Sequence, residues 1–175
     1  MTRHFLHSVS MDRGFVTDWD AHPFSVPAIQ RLETLELHPK VTFFVGENGS
    51  GKSTLLEGIA EKLGFNIEGG TKHTNLEIGD LFDEPEAALS PQRQLSMLVR
   101  LHDLVDDFSQ FIIATHSPLI MAYPDAWIYQ FGPAGIQRID YEDTEHYQII
   151  RSFMHDPKIM MKRLLRREDE LDLGA

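Results

Sequence analysis

Hydrophobic residues along this chain fall into two kinds of run. Two short runs, residues 41–45 and 111–114, are apolar at almost every position, which is typical of strands buried in a parallel sheet. Longer stretches carry apolar residues every three or four positions and predict helices that pack on one face. The helices predicted in this way cover residues 52–63, 91–107, 144–154 and 157–167.

The remaining segments predict shorter elements. Residues 3–11 alternate loosely, as an edge strand does, and residues 28–37 predict a short helix or turn. Residues 126–131 and 135–140 predict a hairpin around Gly132 and Pro133. Strands that alternate with helices predict one α/β domain with a mostly parallel central sheet flanked by helices and an antiparallel N-terminal edge.

A glycine-rich segment joins the first buried strand to the first long helix. It fits the pattern G-x-x-x-x-G-K followed by Ser or Thr, in the strand–loop–helix context that this phosphate-binding motif requires. A Gly-rich turn before an ordinary helix is the simpler alternative, but it does not account for the agreement between the motif and its flanks. The residues of this segment are Gly46, Glu47, Asn48, Gly49, Ser50, Gly51, Lys52, Ser53 and Thr54.

The residue types in this segment suit a nucleoside triphosphate. Glycines permit positive φ angles, so successive backbone N–H groups can point at a phosphate, and the N-terminus of the following helix adds further donors. Lys52 is expected to reach the β- and γ-phosphates, and the Ser53 hydroxyl is expected to ligate Mg²⁺. The segment therefore predicts a binding site for ATP and Mg²⁺.

Two adjacent carboxylates follow the apolar pair Leu81-Phe82. At the carboxyl end of a parallel strand, Asp83 would lie in the crevice where α/β sheets bind ligands, and it could serve Mg²⁺ there. Glu84 could orient or deprotonate the water that attacks the γ-phosphate. Taken alone, this stretch would by default be interpreted as an acidic turn between a strand and a helix.

His116 closes the strand that begins at Phe111. A single histidine among the nine in this sequence is more often structural than catalytic. Its position after a third strand would allow it to hydrogen-bond a γ-phosphate or the attacking water, so we count it as a candidate site residue.

These three elements together resemble a known family. The segments 46–54, 81–90 and 114–118 resemble the Walker A, Walker B with D-loop, and His-switch segments of ATP-binding-cassette ATPases. The chain is most similar to soluble predicted ATPases labelled AAA, which are related to the cassettes of DNA repair and chromosome maintenance. The resemblance implies a P-loop NTPase fold over residues 1–175.

The resemblance also implies roles for individual residues. Lys52 would contact phosphate, Ser53 and Asp83 would serve Mg²⁺, Glu84 would be the general base and His116 would sense the γ-phosphate. An aromatic side chain that stacks on adenine is also implied. The candidates for it are Phe15, Trp19 and Phe24.

The sequence departs from the cassette pattern between Walker A and Walker B. The family carries a Gln-containing loop and a helical subdomain with a signature motif there, whereas Asp83 follows Lys52 by only 31 positions and no signature-like stretch occurs. Gly79 and Asp80 also interrupt the apolar run before Asp83. We infer a missing segment near residues 70–80. Three explanations are compatible with this pattern: an engineered deletion, a naturally minimal cassette, or a sequence that joins only ordered segments.

Composition narrows the function classes. The sequence has 175 residues, a net charge of −11 and no cysteine, which excludes disulfides and thiolate chemistry and suits a reducing cytoplasm. It has no apolar run long enough for a membrane span and no signal-peptide pattern, so no direct membrane insertion is expected. The acidic charge opposes non-specific nucleic-acid binding. A basic group near the C-terminus is interpreted as a solvated helix face: Lys158, Lys162, Arg163, Arg166 and Arg167.

The expected function is ATP binding and Mg²⁺-dependent ATP hydrolysis, coupled to a partner protein or to a homodimer. The alternative is a nucleotide-binding switch module with little turnover, because a missing signature motif would remove contacts to a shared nucleotide. A small-molecule P-loop kinase is a third interpretation, but the chain offers no Arg-rich lid, and Glu84 and His116 have no obvious use in such an enzyme.

Overall fold

The computed structural model describes residues 5–64, 80–105 and 109–165. The strands among these residues are β1 (Ser8–Ser10), β2 (Thr34–Glu36), β3 (Val41–Val45), β4 (Asp80–Asp83), β5 (Phe111–Ala114), β6 (Trp127–Gly132) and β7 (Gly135–Ile139). The α-helices are α1 (Pro27–Gln30), α2 (Lys52–Lys62), α3 (Pro91–Leu104), α4 (Pro118–Met121), α5 (Glu145–His155) and α6 (Pro157–Leu164).

The main sheet has five strands in the order β4-β5-β3-β6-β7. The first four run parallel to one another, and β7 pairs antiparallel with β6 through a tight hairpin. A separate two-stranded sheet pairs β1 with β2 antiparallel. The predicted α/β fold, with a mostly parallel sheet and an antiparallel N-terminal element, is confirmed.

Both faces of this sheet are covered, as parallel sheets require. All five residues of β3 are buried, and their side chains alternate between the faces. Phe43 packs in a cluster with residues of α3 and α4, whereas Phe44 packs in a second cluster with residues of α1, α2 and β2. The core is therefore two apolar layers divided by the sheet, which holds the strand ends in fixed positions.

The predicted segment 28–37 was wrong in its second half. A short helix covers Pro27–Gln30, but Thr34–Glu36 is a strand that pairs with Ser8–Ser10. Its pattern of one buried residue between two exposed ones is that of a strand with one buried face. The partner strand that stabilises this conformation lies more than twenty positions earlier in the chain, so local periodicity did not reveal it.

The other predicted elements are found with small shifts at their ends. The hairpin and the helices near 52–63, 91–107, 144–154 and 157–167 are present with the bounds given above. Residues 106–108, 166 and 167 lie outside the described residues. Ser90 caps α3 by accepting a hydrogen bond from the Arg93 backbone N–H, and Pro91 occupies the first helical position.

Strand β4 lies at one edge of the main sheet. Among the described residues it pairs only with β5, so one side of its backbone has no described strand partner. The inferred missing segment near residues 70–80 lies, up to residue 79, outside the described residues.

Candidate nucleotide-binding site

The predicted site residues converge at the carboxyl ends of β3, β4 and β5. The register places both Phe44 and Asp83 opposite Ala114, so these three parallel strands end at one level. The ladder continues one step further, because Glu84 N–H donates to Ala114 O at 2.9 Å and Thr115 N–H donates to Phe44 O at 3.1 Å. Ligands of open α/β sheets bind in the crevice outside such strand ends.

The loop that follows β3 has the backbone shape predicted from its glycines. Gly46, Gly49 and Gly51 have φ angles of 142°, 79° and 104°. At Gly46 an added Cβ would lie 2.5 Å from Phe131 O, whereas a Cβ at Gly49 would meet no atom within 4 Å. Gly46 is therefore required for packing, and Gly49 borders open space through which a ligand can approach the backbone.

Lys52 is the first residue of α2, and its ammonium lies inside the loop. The side chain is buried, with 4% exposed, and Nζ donates to Gly46 O at 2.9 Å and to Glu47 O at 3.0 Å. Burial lowers the pKa of Lys52, while the nearby carboxylates of Glu84, Asp83 and Glu86 act in the opposite direction. The loop thus presents one buried cation facing a group of carboxylates.

The two carboxylates after β4 differ in their setting. Asp83 ends the strand and is exposed. Glu84 adopts a left-handed conformation with φ 45° and ψ 54°, which is uncommon for a residue with a side chain. Such conformations cost of order 1–3 kcal/mol and persist where the surrounding structure enforces them, often at functional sites. Here the bond to Ala114 O and the Pro85 that follows fix the turn.

His116 and Glu84 are neighbours in space. His116 Nε2 lies 3.1 Å from Glu84 Oε1, an ion-pair distance without the alignment of a hydrogen bond. The backbone N–H of His116 donates to Glu86 Oε1 at 2.6 Å, which fixes the turn after β5. The structure thus brings together a general-base candidate and a phosphate-sensing candidate that are 32 positions apart in the sequence.

A second histidine contacts His116 from the other side. His146, near the start of α5, places its Nε2 3.0 Å from His116 Nδ1. Burial lowers the pKa of His146, and the neighbouring His116 lowers it further. Sequence reasoning missed both His146 and the anchoring role of Glu86, because neither belongs to a local motif of spaced residues.

Two cavities flank the loop. One, of about 460 Å³, lies between the small sheet and α2 and is lined by Val9, Phe24, Ile29, Thr54 and Ile59, among others. The other, of about 550 Å³, is bordered by residues 47–50 of the loop, the turn at Gly132-Pro133 and Glu145. Aliphatic side chains, among them Val9, Ile29 and Ile59, line the first cavity.

The structure separates the three aromatic candidates. Phe15 is 84% exposed. Trp19 packs edge-on against Phe24 with ring centroids 6.3 Å apart, and Arg13 lies over its ring. Of the three, only Phe24 lines the cavity beside Thr54, so it is the candidate best placed to meet a base.

Oxygen donors at the same sheet edge suit Mg²⁺. Ser53 is in the first turn of α2, and Asp83 ends β4. Among the described residues no group of three or more His, Asp and Glu side chains could by itself hold a metal ion. This donor set fits Mg²⁺, which commonly takes one or two protein ligands and completes its shell with phosphate oxygens and water.

Comparison with known proteins agrees with this geometry. Residues 24–99 match the model of a family described as an AAA domain. The match covers less than half of the 175 residues and ends before His116, but it includes the whole loop from Gly46 to Thr54 and both carboxylates. It supports a P-loop ATPase type of domain. No curated protein matches this chain.

Proposed function

We propose that this chain binds ATP with Mg²⁺ and hydrolyses it, as an ATPase domain of the ATP-binding-cassette type. The observation that carries the proposal is the convergence of three groups at the carboxyl ends of the parallel strands. Lys52 lies within the glycine loop after β3, Glu84 follows the end of β4, and His116 lies 3.1 Å from Glu84. These groups supply a phosphate-binding cation, a base and a hydrogen-bond donor for the γ-phosphate.

The chemistry assigned to these residues is in-line hydrolysis. Glu84 accepts a proton from the attacking water as the water oxygen bonds to the γ-phosphorus. The bond from the γ-phosphorus to the bridging oxygen breaks, which gives ADP and phosphate. Lys52 and the loop N–H groups stabilise the charge on the phosphate oxygens, and His116 donates to a γ-phosphate oxygen.

Ser53 and Asp83 are the residues proposed to hold Mg²⁺. Mg²⁺ supplies positive charge that neutralises the β- and γ-phosphate oxygens. Asp83 is exposed at the carboxyl end of β4 and lies one residue before the proposed base. This spacing gives the metal and the water-activating group separate carboxylates.

The base of ATP is proposed to lie in the cavity beside Thr54, against Phe24. The test compares Phe24→Ala with the exposed control Phe15→Ala. Loss of a stacking ring costs about 1–3 kcal/mol, so the Kd for ATP should rise about 5- to 150-fold in Phe24→Ala. Binding of inorganic triphosphate should stay unchanged in both variants. An equal effect of the two substitutions would remove Phe24 from this role.

The decisive experiment measures phosphate release and ATP binding together. Glu84→Gln should keep ATP affinity and lose at least about 100-fold in turnover, as expected when a general base is removed. Lys52→Ala should lose nucleotide binding. Glu57→Gln, at an exposed position on α2, is the matched control and should behave as wild type. Wild-type hydrolysis unaffected by Glu84→Gln would refute the assignment.

The second candidate function is a nucleotide-binding switch with little turnover. It is favoured by the absence of a signature-like segment anywhere in the sequence. This function would be selected if the wild-type protein binds ATP but releases phosphate no faster than Lys52→Ala, both at a negligible rate. Glu84→Gln should then also fail to form an ATP-dependent dimer on size-exclusion chromatography, and a stable dimer would contradict the loss of the closing element.

Coupling to a partner or to a second copy is supported by exposed apolar side chains on the C-terminal helices. Helix α5 has no buried residue, and Ile149 and Met154 are 51% and 69% exposed. Light scattering with and without ATP separates self-association from dependence on another protein.

No helix in the described part of the chain is long and apolar enough to cross a membrane. The cysteine-free sequence leads us to propose the cytoplasm as its compartment.

A further inference from the structure

We propose that His146 is a positioning residue, whose Nε2–H donates to His116 Nδ1 and so holds the His116 proton on Nε2, where it faces Glu84 and the γ-phosphate. The effect on hydrolysis rests on the proposed function, whereas the hydrogen bond and its direction can be tested without nucleotide.

The geometry is that of a direct bond between two rings. His116 Nδ1 and His146 Nε2 are 3.0 Å apart, and the ring planes are tilted by 61°. A nitrogen pair at this distance shares one hydrogen, so one ring donates and the other accepts. Two arrangements of the proton are therefore to be compared.

In the first arrangement His146 donates. His116 then carries its own proton on Nε2, and this nitrogen lies 3.1 Å from the negative Glu84 Oε1, close enough for attraction but without hydrogen-bond alignment. The remaining nitrogen, His146 Nδ1, is buried without a hydrogen-bond partner among the described residues. In this arrangement His146 Nδ1 carries no hydrogen, so it is an acceptor without a donor.

In the second arrangement His116 donates from Nδ1. Its Nε2 lone pair then faces the Glu84 carboxylate, which is repulsive, and His146 must bury an N–H group at Nδ1 with no acceptor. Each arrangement leaves one buried ring N–H without an aligned acceptor, but only the first places that N–H beside a carboxylate oxygen. The contact with Glu84 therefore favours the first arrangement.

Burial and the neighbouring charges together lower the pKa of His146, which favours the neutral ring that the first arrangement requires. Burial and the His116 ring lower its pKa most, and Lys52 acts in the same direction, while Glu145 and Glu86 act against them. A neutral ring with the proton on Nε2 can donate only toward His116. This supports the geometric argument and is not needed for it.

The scaffold fixes His146 in place. It follows the N-cap of α5, Thr144, which is fully buried and whose hydroxyl accepts from Tyr147 N–H and donates to Tyr141 O. The Tyr141 hydroxyl donates to Pro118 O at 2.9 Å, two residues beyond His116. The Tyr141–Pro118 bond thus joins the start of α5 to the turn after β5 independently of the histidine pair, and this limits movement of His146 relative to His116.

The test uses two variants and one spectroscopic readout. His146→Gln keeps an N–H donor, and His146→Leu removes it at similar size. We expect kcat close to wild type in His146→Gln and about tenfold or more lower in His146→Leu, as for other partners that orient a functional histidine. The Kd for ATP should be unchanged in both. Equal loss in the two variants, or loss through ATP affinity, would overturn the positioning role.

The spectroscopic arm uses nucleotide-free wild-type protein with ¹⁵N-labelled histidine, with signals assigned through His116→Gln and His146→Gln. Long-range ¹H–¹⁵N spectra should show both rings protonated on Nε2. A proton on Nδ1 of His116 would overturn the proposal. If wild type does not hydrolyse ATP, the proposed function fails, while this measurement still decides the direction of the hydrogen bond.

Discussion

The two glycines Gly46 and Gly49 should separate packing from ligand access when each is changed to alanine. Both have positive φ, so each substitution should cost about 1–2 kcal/mol of backbone strain. Only at Gly46 does the new Cβ collide with backbone, at 2.5 Å from Phe131 O. Overpacking of this kind costs about 1–3 kcal/mol more, so Gly46→Ala should be the less stable variant by that amount.

Urea unfolding followed by tryptophan fluorescence measures this difference. The slope of unfolding free energy against urea should be equal in the two variants, and the midpoint should fall further in Gly46→Ala. For a chain of this size the extra loss corresponds to a melting temperature lower by about 2–12 °C. Gly49→Ala should instead lose ATP affinity, because its methyl group enters the space open to a ligand. Equal stability of the two variants, or full ATP binding by a stable Gly49→Ala, would refute this reasoning.

Three further predictions follow from other contacts. Gln110 is 2% exposed and bonds to Leu6 N, Leu6 O and His38 O, so Gln110→Leu should lower the unfolding free energy by about 2–4 kcal/mol, measured in urea; an unchanged midpoint would contradict the role of this amide. Folding lowers the pKa of His146, so as the pH falls the ring is protonated in the unfolded state before it is protonated in the folded state. The contribution of this group to the unfolding free energy should therefore be fully present above about pH 6.5 and should decrease below it. Urea midpoints at pH 7.5 and pH 5.5 test this, and His146→Gln should show the smaller decrease. Chelation of Mg²⁺ should stop hydrolysis, and Asp83→Asn should raise the Mg²⁺ concentration needed for half-maximal rate. The exposed control Asp103→Asn should leave that concentration unchanged. Equal Mg²⁺ requirements in the two variants would exclude Asp83 as a ligand.

The local parts of the site were accessible from the sequence. The loop from Gly46 to Lys52 could be predicted because its glycines, its lysine and its flanking strand and helix are contiguous, and the observed φ angles confirm the backbone expectation. The buried strands β3 and β5 were equally clear, since every residue in each is buried. The roles of Glu84 and His116 in catalysis stay predictions.

The relations between distant segments were not accessible. Strand β2 was missed because it is stabilised by β1, and the edge position of β4 depends on the order of strands in the sheet. The proposal of Phe24, rather than Phe15 or Trp19, as the side chain that meets the base depended on the cavity beside Thr54. None of these features leaves a periodic signal in a short window.

The sequence by itself determined a glycine-rich loop of the phosphate-binding pattern between a buried strand and a helix. It also determined the carboxylates and the histidine that follow two other strands. Each of these features consists of residues that are adjacent in the chain. Only the tertiary structure decided that β5 lies between β3 and β4, which brings His116 to Glu84, and that α5 returns to place His146 against His116. The reason is that periodicity and turn chemistry act over a few residues, whereas strand order and helix docking are set by burial of side chains tens of positions apart.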